Sequence, residues 1–149
     1  GLESAITSDT MPLHALVGSL LAERVEIHCL RDATRGGLAA VLSEIAQACG
    51  REIALEESAI PVAESVRAAC ELLGFDALHV ANEGRCVVFV AERDAERALS
   101  LARAMPGCES AARIGTVLAS APPRVLLHQP FGSSRVVDML SGEQLPRIC

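Results

Sequence analysis

The segments of this chain able to do chemistry begin at its very end, Pro146-Arg147-Ile148-Cys149, which puts a thiol on the final residue. A cysteine there adds little to packing, because nothing follows it and chain ends fray unless tied down. It can be an idle thiol, or it can reach into a pocket, pick up a group and carry it. The thiolate is the nucleophile, and an ordinary thiol with a pKa of about 8.5 is only slightly ionised at neutral pH. The terminal carboxylate opposes ionisation further, and Arg147 can offset it. A tail from Ser141 onward, if extended, spans ~30 Å. Gly142 permits a hinge, and Pro146 stiffens the tip.

Arg31-Asp32-Ala33-Thr34-Arg35-Gly36-Gly37 reads as a strand-to-helix turn. Glycines at a helix start let an anion approach bare backbone N–H groups, and the helix dipole favours negative charge there. Thr34 can donate a hydroxyl, and Arg35 can clamp a phosphate with two parallel bonds. Asp32 could orient Arg35 or face a metal ion. The alternative is that Asp32 or Thr34 caps the helix and the glycines allow close packing. The Gly-Lys-Ser/Thr ending of a P-loop is absent.

Asn82-Glu83-Gly84 precedes an apolar strand. A carboxylate at a strand mouth can serve as general base where desolvation brings its pKa toward neutrality. The alternative is a plain turn with a solvated glutamate. His14, His28, His79 and His128 are scattered, and no His/Cys pair has metal-ligand spacing. No G-x-S-x-G supports a serine hydrolase.

The elements that must hold these residues follow from periodicity. Thr7 to Thr10 offers N-cap residues, Pro12 suits a first turn, and Leu13, Leu16, Val17, Leu20 and Leu21 repeat at helical spacing. A strand is expected from Val25 to Leu30. A second helix should carry Leu38, Val41, Leu42, Ile45 and Cys49 on one face and end at Gly50. Glu52 to Glu56 alternates as a strand. A third helix should begin at Pro61, turn Val62, Val66, Ala69, Cys70 and Leu73 inward, and end at Gly74. The strand from Arg85 to Ala91 is apolar on both faces, which predicts a central, covered position. Asp94 should cap a helix running to about Met105. Ile114 to Leu118 reads as a strand, and Val125–His128 with Arg135–Val137 as a hairpin around Phe131-Gly132-Ser133-Ser134. The fold class is α/β, a layered mixed sheet with helices. Residues 1–140 form one domain and 141–149 a flexible tail.

The totals narrow the function. The chain has 149 residues, half of them hydrophobic, and a formal charge of −6. No apolar run approaches the ~18 residues of a membrane span, so no membrane role is expected. Without a basic face or stacking aromatics, nucleic-acid binding is not expected either. The six cysteines show no C-x-x-C pair. Cys49, Cys70 and Cys86 read as buried thiols, which points to a reducing cytoplasm. A chain that opens on Gly1 reads as a domain of a longer protein.

Taken in order, the Arg31–Gly37 turn, Ala81-Asn82-Glu83-Gly84 and the tail from Val137 to Cys149 closely resemble the C-terminal half of the HypE family of hydrogenase-maturation proteins. That family lies within the aminoimidazole ribonucleotide synthetase (PurM) superfamily. The resemblance implies a PurM-like C-terminal domain. It also implies ATP and Mg2+ held mainly by an N-terminal domain that this chain lacks, and a homodimer formed through that domain. It further implies that HypF, a carbamoyltransferase, loads Cys149. ATP then drives dehydration of the carbamoyl group to a thiocyanate, and the cyanide passes to iron in a HypC–HypD complex for NiFe hydrogenase. By the same resemblance, Cys149 is the carrier nucleophile and Glu83 the base. Asp32, Thr34, Arg35, Gly36, Gly37 and Asn82 serve the nucleotide. The rivals are a non-catalytic carrier module and another ATP-dependent member of the superfamily.

Overall fold

The computed structural model describes residues 10–119 and 122–139. Its elements are α1 (His14–Ala22), β1 (Ile27–Ala33), α2 (Gly37–Cys49), β2 (Glu52–Glu56), α3 (Glu64–Leu73), β3 (Asn82–Val90), α4 (Ala95–Arg103), β4 (Gly115–Leu118), β5 (Val125–His128) and β6 (Ser134–Val136). They build two sheets. One is an antiparallel ribbon of β1 and β3, and the other has the order β4-β2-β5-β6, with β2 and β5 parallel.

Helix α2 joins the two sheets. Its apolar stripe returns every three to four residues, and it touches β1, β2, β3 and β5. Leu42 and Ala46 meet Ile53, Leu55, Val125 and Leu127, all essentially inaccessible to water. The ribbon is apolar on both faces for a related reason. Side chains alternate along a strand, so Val87 and Phe89 pack on this core. Cys86, Val88 and Val90 pack instead on Leu16, Leu20 and Val25, with Ala98 and Leu101 of α4 completing the second cluster.

Several boundaries differ from the sequence expectations. β3 is covered on both faces, yet it is not central: among the described residues it pairs only with β1. That pairing carries β1 past Leu30 to Ala33, so Arg31 and Asp32 are strand residues opposite Val87 and Cys86. α3 starts at Glu64, not Pro61, because Ala63 is still extended. Leu73 points outward at 55% exposure. α4 ends at Arg103. Cys70 is buried as expected, but Cys49 is exposed and Cys86 only half-buried. The tail from 141, with Cys149, lies outside the described residues, as do Thr7, Ser8 and Asp9.

Asp94 stands at the N-cap of α4 but does not cap it. Its buried carboxylate accepts the Glu26 N–H at 2.9 Å and the Arg97 guanidinium at 2.9 Å, fastening α4 to the entrance of β1. The Glu26 N–H, helped by Arg97 and Arg93 and opposed by burial, holds the Asp94 carboxyl below its ordinary 3.8. A carboxylate with a lowered folded-state pKa contributes stability above its unfolded value and loses it as pH falls through the folded value. Urea midpoints of the parent chain should therefore fall as the pH drops below about 4. In Asp94→Asn that part of the curve should be flatter; an unchanged slope would show that the group does not titrate this way.

Candidate functional site

Where β1 ends, the chain turns sharply into α2. Ala33 is buried, Thr34 half-buried, and Arg35 and Gly36 exposed. Gly36, at φ 71° and ψ 8°, is the N-cap of α2, and no side chain caps the helix. The capping role that Asp32 or Thr34 could have taken is thus unfilled. An uncapped start leaves N–H groups without intrahelical partners. Among the described residues Arg35 has no ion pair.

Gly37 answers to a different constraint. It is buried at φ 62°, and a Cβ built there would lie 2.5 Å from the Val80 carbonyl oxygen and 2.6 Å from that of Leu78. The first turn of α2 therefore packs backbone against backbone on the segment 78–80. Close packing accounts for glycine at 37, and left-handed backbone geometry for glycine at 36.

The same segment leads directly into Asn82-Glu83-Gly84. These residues are not a turn ahead of the strand; they are the start of β3. Ala33 pairs with Asn82 and Asp32 pairs with Cys86, so Glu83, Gly84 and Arg85 bulge out between two adjacent partners on β1. Bulges re-aim side chains in this way. Gly84 is buried, while Glu83 and Arg85 face solvent. The Glu83 carboxylate is therefore in contact with water in this structure. The Asn82 Oδ1 is buried and has no hydrogen-bond partner among the described residues. Burial pushes the Cys86 thiol up, with Cys108 and Asp32 adding to the shift, so it stays a neutral packing group.

The described chain finishes in the same neighbourhood. Val137 is buried; its N–H bonds the Val125 carbonyl at 2.9 Å, and its own carbonyl accepts the Ser43 hydroxyl at 3.4 Å. The next carbonyl, of Asp138, accepts a hydrogen bond from His79 Nε2 at 3.0 Å. Residue 79 lies within the 78–80 segment that abuts Gly37. The segment 78–80 thus links the helix start at 36–37 to the root of the tail and runs on into the bulge at 83–85. Among the described residues no group of three or more His, Cys, Asp or Glu could hold a metal ion.

Over residues 7–128 the sequence matches the family described as AIR synthase related protein, C-terminal domain. The chain belongs to this family. It is 54% identical over 149 residues to the carbamoyl dehydratase HypE of Azotobacter vinelandii, covering all of this chain and 44% of that protein. A solved hydrogenase maturation protein HypE in complex with ATP superposes with a TM-score of 0.92 at 41% identity, over 100% of this chain and 46% of that one. A HypE–HypF complex gives 0.88 at 41% identity, over 94% of this chain and 45% of the other. The chain thus spans less than half the length of these relatives.

Within this AIR synthase-related domain, His79 is the site residue that sequence reasoning passed over. It sits among three other scattered histidines, and only the fold brings it to Asp138. Packing at 37 gives a direct test. Gly37→Ala should lower stability by about 2 kcal/mol or more, from the carbonyl clash and a left-handed backbone, read as a fall in Tm. A Tm equal to the parent's would mean that the two segments are not in contact.

Proposed function

We propose that this chain is the C-terminal half of an ATP-dependent carbamoyl dehydratase of the HypE kind, working with an N-terminal half that completes the nucleotide cleft. The observation that carries the reading is that the segment 78–80 touches both the start of α2 and the tail root and runs on into the bulge. A tail anchored there can bring Cys149 back to Glu83 and the α2 turn.

The residues fit a bound triphosphate on one side. An uncapped helix start beside an arginine with no ion pair among the described residues is a ready anion site. Arg35, the Thr34 hydroxyl and the backbone at Gly36 would face phosphate, with Asp32 orienting Arg35; Gly37, whose N–H meets the Thr34 carbonyl at 3.4 Å, would hold the turn in place. They do not fit a metal on their own, so acidic ligands for Mg2+ would come from the N-terminal half.

The reaction balances as follows. Cys149 holds the carbamoyl group as a thioester-like S–C(=O)–NH2. The carbamoyl oxygen attacks the terminal phosphorus of ATP, and ADP leaves. Glu83 takes a proton from nitrogen. Loss of the second N–H proton and of inorganic phosphate, which carries away the original oxygen, leaves S–C≡N. The buried Asn82 Oδ1 is an acceptor for an N–H of the nucleotide or of the carbamoyl group.

HypF as carbamoyl donor, HypC–HypD as cyanide acceptor and a homodimer formed through the N-terminal half belong to the same proposal. So does a cytoplasmic setting. The cysteines of the described residues are free thiols, in keeping with a reducing compartment.

The test uses the full-length protein with HypF, carbamoyl phosphate and ATP, followed by mass spectrometry. Glu83→Gln should still accept the carbamoyl group on Cys149, yet convert it to thiocyanate about 100-fold or more slowly, as for loss of a general base. Normal conversion would remove Glu83 from the mechanism. A carbamoyl group that persists in the parent protein would favour the non-catalytic carrier.

A further inference from the structure

β6 carries a charged side chain on its inward face. Arg135 pairs with Leu127, which is inaccessible to water, while Ser134 and Val136 on either side are exposed. Cross-strand partners share a face of the sheet, so the Arg135 guanidinium leaves β6 on the core side. It is 37% exposed, at the margin of the core. A cation there needs a counter-charge, because an unpaired charge away from water is costly.

Asp76 supplies it. Its Oδ2 accepts an Arg135 N–H, and its Oδ1 accepts the Leu78 N–H at 3.0 Å. Its backbone carbonyl takes the His79 N–H, also at 3.0 Å. The His79 Nδ1 lies 3.6 Å from the same Oδ2. Asp76 therefore closes the turn Ala77–His79 with side chain and backbone together. Leu78, buried in the main core, ties that turn down from within.

The start of α2 rests on this turn. The Leu78 and Val80 carbonyls leave room only for hydrogen at Gly37, so any drift of the segment is passed to Gly36 and Arg35. The Arg135 bond matters for charge as well as for position. A bare carboxylate two residues from that contact would repel an anion at the helix start, and Arg135 offsets it.

We infer that Asp76 and Arg135 are positioning residues for the anion site: joined as an ion pair, they hold the turn Ala77–His79 against the start of α2 and keep Gly36 and Arg35 set for phosphate. The inference rests on the proposed nucleotide role of that helix start. The pair acts through the turn, and its effect falls on ATP binding. Removal of one partner loosens the turn and leaves the other charge unmatched. Loading of Cys149 and proton transfer to Glu83 use other groups and should not depend on the pair.

The experiment uses the full-length protein loaded by HypF, with thiocyanate formation followed in a single turnover over a range of ATP concentrations. Arg135→Met keeps an aliphatic stem that suits the apolar face, so the fold should survive. It should raise the ATP concentration needed for half the maximal rate by roughly threefold to tenfold, with the rate at saturating ATP within about twofold of the parent's. Arg135→Lys, whose ammonium can replace the single contact to Oδ2, should recover most of the affinity.

An unchanged half-saturating ATP concentration in Arg135→Met would overturn the inference. So would a loss that appears only at saturating ATP, or one that Arg135→Lys shares in full. If Arg135→Met does not fold, the Leu78 amide of the parent decides. Its proton is bonded to Asp76, so on titration with a non-hydrolysable ATP analogue it should shift with the Gly36 amide and with the same binding constant. A Leu78 amide unmoved at saturation contradicts the coupling. A parent that neither binds the analogue nor forms thiocyanate would instead sink the proposed function, and this inference with it.

Discussion

The arrangement of this domain depends on one backbone contact. The start of α2 lies against the carbonyls of Leu78 and Val80, so close that only hydrogen fits at position 37. Backbone-to-backbone packing at that range is stiff, because neither side has a side chain that can rotate away. Everything of chemical interest is attached to one of the two surfaces in contact. Gly36 and Arg35 precede the helix, His79 sits between the two carbonyls in sequence, and Asn82 follows three residues after it. A small shift at Gly37 would move all of them relative to one another.

The second constraint is the irregular pairing of β1 with β3. A regular ladder would alternate Asn82, Glu83 and Gly84 between the ribbon's faces and send one of them into an apolar cluster. The bulge opposite Asp32 and Ala33 avoids that. It keeps Gly84 buried and the Glu83 carboxylate in solvent. A charged group cannot be buried cheaply without a partner, and the bulge spares Glu83 that cost.

Much of the frame was legible in the sequence because it rests on local rules. The apolar stripe of α2 and its left-handed Gly50 cap, the alternation in β2 and the β5–β6 hairpin all follow from periodicity and turn chemistry. What the sequence did not disclose depends on distant partners. β1 runs on to Ala33 because β3 is there to pair with it. Asn82-Glu83-Gly84 has the composition of a turn, yet tertiary pairing draws it into a strand. Asp94 looks like a cap, but the Glu26 N–H, distant in sequence, takes its carboxylate. Gly37 was open to a phosphate or a packing reading, and the carbonyls of 78–80 account for it. His79 gave no signal at all, since its partner is a backbone oxygen.

The central claim is that the helix start, the bulge and the tail root form a single site. Backbone amide mapping of the full-length protein, titrated with a non-hydrolysable ATP analogue, tests it most directly. The account predicts that the amides of Gly36 to Ala39, Glu83 and Gly84, and Asp138 and Met139 shift together with one binding constant. Shifts at the helix start with the bulge and tail root unmoved at saturation would contradict it.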